Sequence, residues 1–380
     1  PSLLGTVGRP MGERIYSLDA MRIVAMVFIV LIHTDPFQDL TAYGNMLNFG
    51  IKTTARFAVP FFFVTSGFLF ARKIADREPT AYVKRRLASI SSYYVFGLAL
   101  AAPVFFVGFV GREVIDGRPF GPAAVETIAG FLSPVELFYY GTSVSRILWF
   151  LPALAVSFLL VYAFVAIEKP GYALPVAAAF HVVGLLGTNY TMFVEVPFEI
   201  RDGLFFGFFY TSLGYAIYAR DWQPSADRSR RLLALTGVFA LAQLGEFYVL
   251  GYPLKGEPFG SYVYAPSYGI TTVLLTTSLF LYLLSRPTLG RGTPLPAWGT
   301  YAVGIYVTHP VVFGMLRAGR ELLEAGGYPI QETLVWHLLS TPATFFGALA
   351  LYLAADRLGV IEIGGTHWPG AAWLRAIRSG

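Results

Sequence analysis

Residues 19–37 read "DAMRIVAMVFIVLIHTDPF". The run is apolar enough to cross a bilayer, yet it holds Arg22 near its start and His33 near its end. Both are costly to place in hydrocarbon. They are eleven residues apart, which at about 100° per residue is three turns plus roughly 20°. They therefore share one helix face, about 16 Å apart along the axis. That face has to look into a helix bundle or a wet cavity, not at lipid. A purely structural account also stands at this point: Arg22 snorkels and pairs with Asp19, and His33 sits at the interface.

The composition agrees with a membrane setting. Of 380 residues, 55% are hydrophobic and only 13% charged, with a mean hydropathy of +0.58. Soluble domains carry roughly a quarter charged residues. An all-α, polytopic membrane helical bundle of about ten transmembrane helices is predicted. The spans are expected near 16–34, 50–71, 90–110, 146–167, 171–188, 203–219, 231–251, 266–285, 298–317 and 334–355. The expected division is an N-terminal segment over 1–15, a membrane domain over 16–357 and an interfacial tail over 358–380. The first run, preceded by Arg14 and Asp19, reads as a true span and not as a cleaved signal. "VETIAGFLSPVELFYY" (125–140) is too short and mixed to span, and is expected at the interface or re-entering between helices.

Charge sets the orientation. Of the 28 Lys and Arg, 18 fall in segments on the N-terminal side, 9 on the opposite side, and Arg22 inside the first span. That bias predicts an integral protein of the plasma membrane with both termini cytoplasmic. The six Trp (149, 222, 298, 336, 368, 373) fall at or beyond span ends, where an aromatic belt belongs. The pI of about 9.2 then reflects cytoplasmic loops and not a nucleic-acid partner. With no cysteine, disulfides and thiolate metal sites are excluded, and no His/Asp/Glu group has metal-ligand spacing.

Other stretches carry candidate chemistry. "AVPFFFVTSGFLFARK" (58–73) places Ser66 and Gly67 where helices can approach closely or open locally. Lys84, Arg85 and Arg86 stand at the foot of the third span, and with Arg72, Lys73 and Arg77 they form the densest basic patch. That patch reads either as orientation and anionic-lipid binding or as a dock for the phosphates of a soluble cofactor. His309 comes just before Pro310, which removes a backbone donor and loosens the helix beside it. Asp35 is close enough in sequence to orient the His33 imidazole, although an Asp before Pro is ordinarily a turn residue. Glu246 is expected within or at the outer end of the seventh span, and His181 and His337 as packing or interface residues.

The stretches "YSLDAMRIVAMVFIVLIH" (16–33), "PFFFVTSGFLF" (60–70), "YVKRRL" (82–87), "LWFLPAL" (148–154) and "GIYVTHPVVF" (304–313), in this order, resemble the acyltransferase-3 family of integral membrane O-acyltransferases. Arg22 and His33 fit the family's first-helix pattern without a gap. The sequence departs from the family where Ser89 stands three residues after Arg86, at the place of a frequent second Arg. The resemblance implies transfer of an acyl group, usually acetyl from acetyl-CoA or another acyl-CoA, to a hydroxylated glycan or lipid-linked acceptor, with no metal. It leaves the membrane domain either to complete the reaction or to hand the acyl group to a separate protein.

The residues suit that chemistry. Neutral His is a good base near pH 7, and His33 is the candidate base or the site of a transient acyl-imidazole. Arg22 can orient a carbonyl, stabilise charge or hold a CoA phosphate. His309 is expected to line the site; Arg72, Lys73, Lys84, Arg85, Arg86 and Ser66 are candidates for contact with the donor. Membrane lipid is a further partner, and homo-oligomerisation stays open. A secondary transporter or flippase for a small acid or glycan lipid is the rival, since buried Arg and His among broken helices suit it too.

Overall fold

The computed structural model describes residues 14–194 and 196–362. Arg9, most of the expected N-terminal segment, and the part of the expected tail from 363 on, with Trp368 and Trp373, lie outside the described residues. The helices are α1 (Tyr16–Thr34), α2 (Ala42–Ala55), α3 (Ala58–Ile74), α4 (Pro79–Ile115), α5 (Phe120–Phe131), α6 (Phe150–Ala166), α7 (Ala173–Thr188), α8 (Phe208–Ala219), α9 (Ser229–Gly251), α10 (Ile270–Ser285), the short α11 (Leu295–Trp298), α12 (Ala302–Ala325) and α13 (Leu334–Arg357). No strand occurs among the described residues.

Among the described residues, seven segments are long and apolar enough to cross a membrane, by length and composition: Tyr16–Thr34, Ala42–Ile74, Pro79–Ile115, Pro170–Thr188, Ala226–Lys255, Leu295–Ala325 and Leu334–Arg357. The sequence led to about ten. Each of the ten expected stretches carries helix, but α6 and α10 are apolar helices of 17 and 16 residues, and α8 has 12. A span needs roughly 20 residues. α8 continues a π turn over Gly203–Gly207, which Asp202 opens by accepting from the Phe205 N–H, and the two together run from Gly203 to Ala219, about the length of α6.

Local sequence explains the breaks that matter. α1 ends where Pro36 disfavours helix in the residue before it, and Asp35 takes a left-handed conformation with φ 48°. α2 and α3 separate at Arg56–Phe57. Pro60 lacks the N–H that would bond the Arg56 carbonyl there. α4 starts at Pro79, capped by Glu78, whose carboxylate accepts from the Thr80 and Ala81 N–H groups. Hydrogen bonds from Thr80 and Ala81 hold that carboxyl below its ordinary pKa. This start lies well before the expected 90, so the basic run 84–86 is helical. The segment 125–140 holds the end of α5 and a π turn over Glu136–Tyr140; α5 packs along α4 through Ala123, Ala124 and Val110.

The core is aromatic. Phe61, Phe63, Phe68 and Phe70 of α3 are fully buried beside Phe158 of α6 and Phe208 and Tyr210 of α8. α3 and α8 meet backbone to backbone. A Cβ at Gly67 would overlap the Thr211 carbonyl, and one at Gly214 would overlap the Val64 carbonyl. Small residues that allow such approach are a recurrent device of membrane bundles. α1 threads this bundle, touching α2, α3, α11, α12 and α13. Its start is tied to the end of α10 by the Ser17 hydroxyl, which donates to the Leu283 carbonyl at 2.7 Å.

Candidate active site

Arg22 lies at one end of α1, on the rim between two cavities. The larger, of about 350 Å³, is lined by Arg14, Asp19, Arg22, Arg72, Lys73 and Arg77, among others. The smaller, of about 180 Å³, shares Arg22, Thr65, Leu69 and Lys73 with it and adds Ser66, Arg86, Ser89 and Tyr93. Five cations thus face the larger cavity and three the smaller. Asp19 and Asp76 are the acids in the wall of the larger cavity: Arg14 holds Asp19 at 2.6 Å, which raises the Arg14 pKa, and Arg22 stands 4.0 Å from it. Asp19 is therefore shared between two guanidinium groups, and Arg22 lines both cavities.

Helical geometry sorts the basic run. Tyr82, Arg86, Ser89 and Tyr93 recur at spacings of four, three and four, so they share one strip of α4, and all four line the smaller cavity. Lys84 and Arg85 are turned off that strip by about 160° and 100°. Both are exposed, and Arg85 bonds the Ala81 carbonyl at 3.3 Å. Of the sequence candidates for donor contact, the fold gathers Ser66, Arg72, Lys73 and Arg86 around Arg22 and leaves Lys84 and Arg85 outside. The Ser66–Gly67 pair divides its work: Gly67 admits α8, and Ser66 faces the cavity. Sequence reasoning missed Arg14 and Thr65. Thr65, Leu69, Arg72 and Lys73 form a helical strip that would have flagged Thr65, whereas Arg14 has no such pattern.

His33 lines a third cavity, of about 260 Å³, at the other end of α1, with Asp35, Arg317, Arg320, Trp336 and His337 in its wall. Between Arg22 and His33 the same strip of α1 carries Met26 and Ile29, which are buried. Asp35 is ion-paired with Lys52, and among the described residues no hydrogen bond joins it to His33. His337 bridges loops: its Nδ1 accepts from the Phe37 N–H at 2.9 Å, so its Nε2–H donates to the Gln331 carbonyl at 2.9 Å. Glu246 is structural. Its carboxylate accepts from the Ile270 and Thr271 N–H groups and so caps the N-terminus of α10.

His309 is fully buried on α12, and its ring centroid lies 5.4 Å from that of His33. Its Nδ1 is 2.7 Å from the Tyr306 carbonyl and 3.2 Å from that of Ile305, while its Nε2 has no hydrogen-bond partner. The Tyr306 hydroxyl accepts from the Phe150 N–H and donates to the Ile147 carbonyl. The "LWFLPAL" and "GIYVTHPVVF" stretches are thereby joined behind the two histidines.

Residues 15–353 match the sequence profile of a family described as an acyltransferase domain. The chain belongs to the acyltransferase-3 family. Within this acyltransferase-3 match lie His33, His309 and the lining of all three cavities except Arg14. The chain is also similar to two proteins named amino-acid racemase from Enterococcus faecalis, at 26% identity over 60% of this chain and 25% over 80%. It is 24% identical over 88% of its length to a protein named serine/alanine racemase from Enterococcus gallinarum. The aligned parts make up 31%, 41% and 45% of those proteins, so the chain spans less than half the length of the curated relatives it matches. No solved structure matches it.

Proposed function

We propose that this chain is an integral membrane acyltransferase that moves an acetyl group from acetyl-CoA to a hydroxyl of a glycan or lipid-linked acceptor. The observation that carries the reading is the division of labour along α1. A cation-lined pair of cavities surrounds Arg22 at one end, and a polar cavity holds His33 at the other. In this reading Arg22, Arg72, Lys73 and Arg86 bind the phosphates of the donor on the cytoplasmic side, where charge-assisted bonds are strongest. Lys84 and Arg85 sit outside the cavity and act on the donor by long-range attraction. Ser66 lines the way inward.

His33 acts as general base. It takes the proton of the acceptor hydroxyl as that oxygen bonds the acyl carbon, the thioester C–S bond breaks, and the proton ends on the CoA sulfur. His309 lies beside it. The roughly 16 Å between Arg22 and His33 suits part of an extended pantetheine arm, and Met26 and Ile29 must move aside to admit it. The shorter helices α6, α8 and α10 complete ten crossings of the plasma membrane, with both termini cytoplasmic.

The test is incubation of the purified protein with labelled acetyl-CoA. Release of CoA with acetyl transferred to an added acceptor supports the proposal. Cavities at both ends of one helix also suit a transporter or flippase. Saturable solute binding with no loss of the thioester selects that rival and overturns the enzyme.

A further inference from the structure

We propose that Pro310 is a positioning residue. By withholding a backbone N–H from the Tyr306 carbonyl, it fixes the tautomer of His309 and so leaves the Nε2 lone pair to support His33. The inference rests on the acyltransferase reading for its catalytic half only.

In a continuous helix the carbonyl of residue 306 accepts from the N–H of residue 310. Pro310 has no N–H. A buried carbonyl left without a donor is costly, on the order of 1–3 kcal/mol. The donor present is the His309 ring, with Nδ1 2.7 Å away. A carbonyl oxygen only accepts, and a neutral imidazole carries one N–H. The proton therefore sits on Nδ1, and Nε2 holds a bare lone pair. That atom is buried and has no hydrogen-bond partner among the described residues. The ring of His33 stands beside it, 5.4 Å between centroids.

An unpartnered buried acceptor beside a candidate base has a clear use. When the acceptor hydroxyl gives its proton to His33, the imidazolium gains a second N–H. His309 Nε2 accepts a hydrogen bond from it, holding the ring in place and stabilising its charge until the proton leaves to the CoA sulfur. No net proton is gained by His309. With the other tautomer, His309 would present an N–H to an N–H, and the pair would repel.

The chain has five histidines, so selective ¹⁵N-histidine labelling with single substitutions resolves His309 in the purified protein. The wild type is expected to show Nδ1–H at His309. Pro310→Ala supplies the missing N–H, so His309 is expected to shift towards Nε2–H. The kcat for acetyl transfer is then expected to fall about tenfold or more, with KM for acetyl-CoA unchanged. Nε2–H in the wild type overturns the proposal. So does a shifted tautomer with full kcat, or a lost kcat with Nδ1–H intact. A wild type without acetyl transfer, but with the tautomer shift, supports the Pro310 device and overturns the enzyme reading instead. Should Pro310→Ala fail to fold, His309→Asn carries the test. Its amide can still bond the Tyr306 carbonyl but has nothing at Nε2, so kcat as low as in His309→Ala is expected. Wild-type kcat in a folded His309→Asn protein overturns the role.

Discussion

His33 of α1 and His309 of α12 come from opposite ends of the chain, and their rings stand 5.4 Å apart at an interplanar angle of 34°. One imidazole borders a cavity and the other is sealed behind it with an unpartnered nitrogen. His181 also has a buried, unpartnered Nε2, but it is packed against Phe209, Tyr210 and Tyr268; what sets His309 apart is the second imidazole beside it.

His33→Ala is expected to cut kcat by about 10²–10⁴-fold while acetyl-CoA still binds. Turnover per folded molecule, paired with a thermal melt, is the deciding measurement. A stable His33→Ala protein with wild-type kcat would end the catalytic assignment.

Arg22→Ala should impair donor use, and Arg22→Lys should restore it only in part, because a point charge does not reproduce a planar fork. Initial rates across acetyl-CoA concentrations show this as a raised KM. If the sole role of Arg22 were its 4.0 Å contact with Asp19, both variants would instead lower stability and keep normal kinetics.

The cations around the two Arg22 cavities and those outside them should separate in kinetics. Neutralising Lys73 and Arg86 together is expected to raise KM for acetyl-CoA at every ionic strength, since both line the smaller cavity. Neutralising exposed Lys84 and Arg85 should have a smaller effect that fades near 1 M salt, where the screening length is about 3 Å. Equal effects of the two pairs would remove the cavity from the donor site.

Gly67→Ala should destabilise the bundle by about 1–3 kcal/mol, because its Cβ meets the Thr211 backbone and neither helix can yield locally. Thermal unfolding of the purified protein is the check. Gly50→Ala is the control, since nothing stands within 4 Å of a Cβ there. An unchanged midpoint for Gly67→Ala would mean that α3 and α8 are further apart than described.

Orientation is open to a clean chemical test because the chain has no cysteine. Single cysteines at Asp76 and Asp227 should react with an impermeant thiol reagent only from the cytoplasmic side. Labelling of Asp76 from outside would invert the arrangement and put the basic cavity on the wrong side for CoA.

The apolar composition and the five ordered stretches were enough to read an all-helical membrane protein and its family. Hydrophobicity is a sum over residues and needs no knowledge of neighbours. The 19-residue α1 has the expected bounds, and the shared face of Arg22 and His33 follows from the helical period alone. Helix lengths were less legible, because the winding of Gly203–Gly207 and the early start of α4 depend on local backbone N–H groups donating to Asp202 and Glu78.

Tertiary structure decided which polar residues meet. In the sequence Lys84, Arg85 and Arg86 look alike, and the 100° turn between neighbours leaves only Arg86 on the cavity side once the rotation of α4 is known. Asp35 is adjacent to the His33 turn in sequence, yet Lys52 of α2 claims its carboxylate. Pro310 announces a missing N–H, but only the folded α12 and its rotamers show that His309 fills the vacancy and that His33 stands next to it. Burial propensity belongs to a residue and can be read in one dimension. A hydrogen-bond partner belongs to a pair, and which pairs form is set by how helices far apart in the chain rotate and pack against each other.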